Sequence, residues 1–308
     1  MRTLICLGHA ALDRIYSVPH MPVGSTKVRA TAYTEVGGGM ASNAACAIAR
    51  LADATTHRVE FWGWTGDDSA GTIIRNDLVR YGVDATFLRA FDGCMSSQSA
   101  VMVDPAGERM IVNYRGSVPV EDTSWLPLER IAGATAILTD VRWQNGAEAM
   151  LRAARAAKVP SILDADLGDV PVVRALVPLA DHAVFSEPGL ANWAGHDDVE
   201  HALRAAVAQG ARIAGVTQGG DGSTWLLDGA LHRVPTIRVE AVDTLGAGDV
   251  FHGAYALGIA EGMTVLGAAR FASVAAAIKC SRHGGRSGTP TRDEVRAAAH
   301  AAGFALTA

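Results

Sequence analysis

Cysteine is scarce: the 308 residues hold four, Cys6, Cys46, Cys94 and Cys280. They are scattered, with no Cys-x-x-Cys pair, which argues against a zinc site and for inert thiols in a reducing cytoplasm. Basic residues are in deficit as well. Lys and Arg number 27 against 32 Asp and Glu, a formal net charge of -5, so the chain carries no footprint for nucleic acid. No run of about 18 apolar residues occurs, which excludes a helical membrane span. The start, Met1 to Gly8, runs straight into a strand pattern and lacks a signal-peptide layout. Internal repeats and low-complexity linkers are also missing.

What is present is a hydrophobic fraction of 49% with 19% charge. That composition suits one large α/β domain over residues 1–308 with a small appendage. Short apolar runs at Leu4–Gly8, Val59–Trp64, Ala136–Thr139, Ser161–Leu163, Ala183–Phe185 and Ile213–Thr217 read as strands. Between them, Met40–Leu51, Ala70–Tyr81, Ala147–Ala157, Val199–Gln209, Val250–Glu261 and Val265–Ser281 read as helices. Alternation of this kind predicts a mostly parallel sheet with helices on both faces. Gly82, Gly210 and Gly262 fall where helix C-caps belong. Two stretches, about 14–34 and 96–114, hold strand-like runs with no helix between them. The second carries the hairpin signal Asp104-Pro105-Ala106-Gly107, and the two together read as a small β-sheet flap.

The most informative segment is Asp243-Thr244-Leu245-Gly246-Ala247-Gly248-Asp249, followed at once by a helical run. Small residues let the backbone turn tightly with its N–H groups open, and a helix N-terminus adds partial positive charge, so the turn can hold a phosphate. Asp249 beside it can take a proton from an attacking hydroxyl. The same residues also describe a plain loop whose Asp caps a helix. Gly37-Gly38-Gly39 before the helix at Met40 reads by itself as a Gly-rich turn with Ser42 or Asn43 helping to cap. Asp13, just past the first strand, is ordinarily turn chemistry.

The two Gly-rich segments together resemble the paired signatures of the ribokinase-like (PfkB) carbohydrate kinases. The resemblance implies a three-layer α/β/α sandwich with a mostly parallel sheet and a β-sheet lid, and ATP-dependent sugar phosphorylation. It gives Asp249 the role of base and Gly246, Ala247 and Gly248 that of stabilising the transferred phosphoryl group. Asp13, the backbone of Gly38 and Gly39, and Asn43 would hold the sugar. Thr217, Gly219 and Gly222 in the Val216–Gly222 segment, with Ser186 and with Gly285 in the loop 284–290, would line the nucleotide or, for that loop, a monovalent-cation site. Magnesium is expected as the counter-ion of ATP. The family's water-mediated Asn-x-x-Glu motif is not intact, because Ser186 and Gly189 stand at its two positions; Glu187 and Asp166 are the substitutes the neighbourhood offers. Relatives pair through their lids, which implies a homodimer.

Within that family, matches from Arg14-Ile15-Tyr16 to Gly284–Gly288, including Asp140-Val141-Arg142-Trp143 and Phe185–Leu190, resemble the 6-deoxy-6-sulfofructose kinases of sulfoglycolysis. This implies that Lys27, Asn113 and Arg142 grip a sulfonate, a permanent monoanion with three acceptor oxygens that suits three donors of net positive charge. The alternatives are a solvated Lys27 and a structural ion pair for Arg142. Asn43 stands where some of these kinases are expected to carry Thr. Kinases of fructose, fructose 6-phosphate or 2-keto-3-deoxygluconate, and a non-catalytic sugar sensor, are the competing functions.

Overall fold

The computed structural model describes residues 1–306. In chain order the strands are β1 (Arg2–Leu7), β2 (Ala11–Ser17), β3 (Ala32–Gly38), β4 (His57–Gly66), β5 (Leu88–Phe91), β6 (Gln98–Val103), β7 (Arg109–Tyr114), β8 (Ala136–Asp140), β9 (Ser161–Ala165), β10 (His182–Ser186), β11 (Ile213–Thr217), β12 (Ser223–Leu227) and β13 (Ala230–Val234). The helices are α1 (Met40–Leu51), α2 (Ser69–Arg80), α3 (Gln144–Ala157), α4 (Val170–Leu176), α5 (Glu187–Ala194), α6 (Val199–Ala208), α7 (Ala247–Ala260), α8 (Val265–Cys280) and α9 (Arg292–Ala301).

The large sheet runs in the order β13-β12-β11-β10-β9-β8-β1-β4-β5. It is parallel from β11 through β5, and β12 and β13 are added antiparallel at one edge. Its central strands are apolar on both faces because both are covered. In β1, Leu4 and Cys6 join the core under α1, α2, α7, α8 and α9. Ile5 and Leu7 join the opposite core, under α3, α4, α5 and α6. This is the three-layer α/β/α arrangement that the alternation predicts. Gly82, Gly210 and Gly262 follow α2, α6 and α7 with positive φ, as helix-terminating glycines do. No helix among the described residues is long and apolar enough to cross a membrane.

The second sheet has four strands in the order β3-β2-β6-β7. It departs from the sequence reading at its edges: β2 begins at Ala11, β3 runs on through Gly38, and 18–31 holds no strand. The Gly37-Gly38 pair is therefore a strand end, not a turn. The Asp104–Gly107 hairpin does form, with the Asp104 carboxylate accepting from the Ala106 and Glu108 amides.

α7 is buried along almost its whole length and packs between α1 and α8. A helix apolar on every side belongs in the interior. Gly253 makes the α1 crossing close: a Cβ there would lie 2.5 Å from the Ala44 carbonyl oxygen. That contact carries the first turn of α1 to the first turn of α7, and the candidate site lies where they meet.

Candidate active site

α7 starts three residues earlier than the apolar pattern indicates. Gly246 is its N-cap with φ 76°, and Asp249 lies inside its first turn, so Asp249 does not cap the helix. The first intrahelical bond runs from the Val250 amide to the Gly246 carbonyl. The Ala247 amide closes a turn onto Thr244 O at 3.2 Å, and the Gly248 and Asp249 amides have no helical acceptor, as at any helix start. The turn is thus a helix N-terminus suited to an anion.

The Asp249 carboxyl accepts from Asn43 Nδ2 at 2.6 Å. Burial pushes its pKa up to about 7, helped by the negative charge of Asp164, while the Asn43 hydrogen bond pulls the other way. Asp164 is itself raised well above the usual carboxylate range by burial and by Asp166. Its two carboxyl oxygens are buried without a hydrogen-bond partner among the described residues. His252 stands next to it, Nδ1 lying 3.3 Å from Asp164 Oδ2 and 2.8 Å from Gly248 O. Among the described residues no group of three ligating side chains could hold a metal directly.

Toward the small sheet, Gly38 and Gly39 are fixed by contact. A Cβ on Gly38 would fall 2.1 Å from Asp13 Oδ2, and one on Gly39, whose φ is 98°, 2.2 Å from His9 O. Ser42 and Asn43 do not cap α1: Gly39 does, without a side chain, and Ser42 donates to Gly38 O at 2.7 Å. Burial raises the Asp13 carboxyl, with Ser99 and Arg286 opposing. Beyond His9 opens a cavity of about 660 Å³ lined by Asn113, Arg115, Arg142, Trp143 and Asn145 among others. Asp140, at the end of β8, organises this corner: its carboxylate accepts from the amides of His9 (3.1 Å), Ala41 (3.0 Å) and Arg142 (2.8 Å). Arg115 donates to Arg142 O at 2.8 Å, and Asn113 donates to Ser99 Oγ at 3.1 Å. Burial, then the cations Arg142 and Arg115, lower the His9 pKa to about 4. Lys27 is exposed in 18–31 and does not line this cavity.

On the other side of the turn lies a cleft of about 590 Å³. Thr217, Gly219 and Gly222 line it together with Ala247, Gly248 and Phe251. Ser186 and Gly285 do not line it. Ser186 caps α5 through Gly189 N and donates to Asp166. Glu187 accepts from Gln218 Nε2 at 3.0 Å. Gly285 directs its amide to Asp243 Oδ2 at 3.4 Å. The carbonyl of Asp243 and that of Arg282, at 2.8 and 3.3 Å, accept from the ammonium of Lys279, which has no exposed surface. Arg109 of β7 reaches Asp243 Oδ1 at 2.9 Å, so the small sheet touches the loop that leads into the turn.

Asp249 and Asn43 are thus in contact across 206 positions, and Asn113 and Arg142 share a cavity. Sequence reasoning passed over Arg115, His9, Asp140 as an organiser, and Arg286. Asp140 and Arg286 had a signal, since they lie in the Asp140–Trp143 and Gly284–Gly288 stretches; Arg115 and His9 carry no such pattern.

A nucleotide-sized cleft and a polar cavity lie at the carboxyl ends of parallel strands, where ligands of open α/β sheets gather, and the cleft reaches the helix N-terminus that carries the half-buried Asp249 carboxyl. That is the layout of a small-molecule kinase. The family model "pfkB family carbohydrate kinase" matches residues 1–292, and the chain belongs to that family: it is a carbohydrate kinase, a phosphotransferase that uses ATP. It is 27% identical to ribokinase of Bacillus subtilis over 298 residues, covering 96% of this chain and 98% of the relative. A crystal structure of a provisionally assigned ribokinase from Agrobacterium tumefaciens superposes with a TM-score of 0.90 at 40% identity, covering 97% of this chain and 98% of that one. Ribokinase of Arabidopsis thaliana, solved with ribose and ATP, gives 0.85 at 24% identity, covering 96% and 97%.

Proposed function

We propose that the chain transfers the γ-phosphoryl group of ATP to the C1 hydroxyl of 6-deoxy-6-sulfofructose, giving the 1-phosphate. The observation that carries the sulfonate reading is the cavity beyond His9, where Asn113, Arg115 and Arg142 supply donors and two guanidiniums around one space. Guanidinium forks suit oxyanions. Lys27 completes the set on this reading by moving in from its exposed stretch.

In the reaction Asp13, the Gly38 and Gly39 backbone and Asn43 orient the sugar. The C1 oxygen attacks the γ-phosphorus, the bond to the β–γ bridging oxygen breaks, ADP leaves and the hydroxyl proton passes to Asp249. The amides of the Gly246–Gly248 turn hold the phosphoryl oxygens as charge develops. Thr217, Gly219 and Gly222, which line the cleft, serve the nucleotide. Magnesium, when bound, offsets phosphate charge; the absence of a three-ligand cluster among the described residues fits an ion carried by ATP, with Glu187 and Asp166 holding it through water. The four cysteines are free, which supports a cytoplasmic setting. Exposed Met110, Val112 and Tyr114, alternate residues on one face of β7, support a homodimer through the small sheet.

Turnover of the sulfosugar, fructose, fructose 6-phosphate and 2-keto-3-deoxygluconate with ATP tests the substrate. The sulfosugar should be turned over fastest; equal or faster turnover of fructose 6-phosphate sinks the assignment. Arg142→Ala should raise KM about 10²-fold or more for the sulfosugar and little for fructose. Equal changes for both would make Arg142 structural.

A further inference from the structure

We propose that Arg286 is a positioning residue for phosphoryl transfer: it fixes the amide of Asn43 so that its NH₂ group, and not its carbonyl, faces Asp249. The inference rests on the reading of Asp249 as the base. Arg286 lines neither cavity and is only 7% exposed. Its Nε lies 3.0 Å from Asn43 Oδ1. A guanidinium has donors and no acceptor, so the oxygen of the amide must turn to it. Asn43 Nδ2 is then left to donate to Asp249 Oδ2, at 2.6 Å.

The guanidinium is held in turn. Nη1 pairs with Asp77 Oδ2 at 2.9 Å and Nη2 donates to Ser42 Oγ at 3.0 Å. Its plane lies beside Tyr81, 5.8 Å from the ring centroid. Gly37 is shaped to this pair: a Cβ there would come 2.7 Å from both Arg286 Nη1 and Asp77 Oδ2. An ordered chain therefore runs Asp77–Arg286–Asn43–Asp249 and joins α2, the loop after α8, α1 and α7. With the amide reversed, a carbonyl dipole would face the carboxylate and disfavour its ionised form. The other titratable groups around Asp249 are Asp164 and Asp166, at and just after β9, and His252 one turn along α7; the variants below leave them in place.

The test is the pH dependence of kcat in Arg286→Lys, which keeps a cation for Asp77 and loses the donor fork. We expect kcat at pH 7 to fall about fivefold and the midpoint of the profile to move up by about one unit, with KM for ATP and the melting temperature near wild type. Asn43→Ala should move the midpoint the same way, and Arg286→Lys added to it should move it no further. An unmoved midpoint in Arg286→Lys, or a further shift in the Asn43→Ala background, overturns the proposal. Where Arg286→Lys does not fold, Asp77→Asn frees the same guanidinium from its other end; a shift upward supports the proposal and an unmoved midpoint overturns it. Asp249→Asn separates the two readings: retained turnover sinks the base, whereas lost turnover with an unmoved Arg286→Lys midpoint sinks only the positioning role.

Discussion

Asp249 gathers its properties from three directions. Burial and Asp164 raise its pKa to about 7, and Asn43 restrains the rise. A base of that pKa takes a proton well near neutral pH, so kcat should climb through pH 7 and level off above it. Asp249→Asn should cost about 10³-fold in kcat with the fold kept. The same group couples stability to pH. The native carboxyl keeps its proton up to about pH 7, whereas an unfolded one releases it near 3.8. The native state therefore binds more protons across that window, and stability falls as pH rises through it. Thermal melts at pH 5 and pH 8 should show Asp249→Asn gaining on the wild type at the higher pH; a gain at the lower pH would contradict the burial account. Asp249, Asn43 and Asp13 were legible in the sequence because short motifs surround them. The role of Arg286 was not, because its partners Asp77 and Asn43 lie 209 and 243 positions away.

At the scale of elements, the contact of α1 with α7 is what brings Asn43 to Asp249. Gly253 faces Ala44 of α1, and Gly258 faces Ala268 of α8, where a Cβ would come within 2.8 Å. Gly253→Ala and Gly258→Ala should each cost about 1–3 kcal/mol by overpacking. Only Gly253→Ala should also lower kcat, because it pushes the α1 turn away from Asp249. Equal kcat in the two variants, read beside their melting temperatures, would disconnect the crossing from catalysis. The long elements were readable from apolar runs and helical stretches, and α1 and β11 fall on the expected residues. The edge was less so. β12 and β13 are joined by Asp228-Gly229, both with positive φ, a hairpin signal outweighed by the weak apolar pattern around it. α9 carries a capping box, Thr291 with Glu294, but little apolar surface. α4 and α5 have seven and eight residues, too short for a helical period to stand out.

For the molecule as a whole, the small sheet meets two environments. One face of β7 carries Asn113 to the cavity beyond His9 and also exposes Ile111; the other exposes Met110, Val112 and Tyr114. An apolar strand face in water tends to be covered, and a second copy is the cover we expect. Val112→Lys should convert a dimer to a monomer in light scattering and weaken sugar binding, since each flap would lose its support; an unchanged mass would remove the small sheet from the interface. The ammonium of Lys279, seated without exposed surface on the carbonyls of Asp243 and Arg282, bears on how the enzyme meets its solvent. A tethered cation has a local concentration that no buffer ion matches. Turnover should therefore be the same in potassium and in tetramethylammonium salts. Lys279→Met should make it rise with added potassium, turning an enzyme indifferent to the ionic make-up of its surroundings into one governed by it.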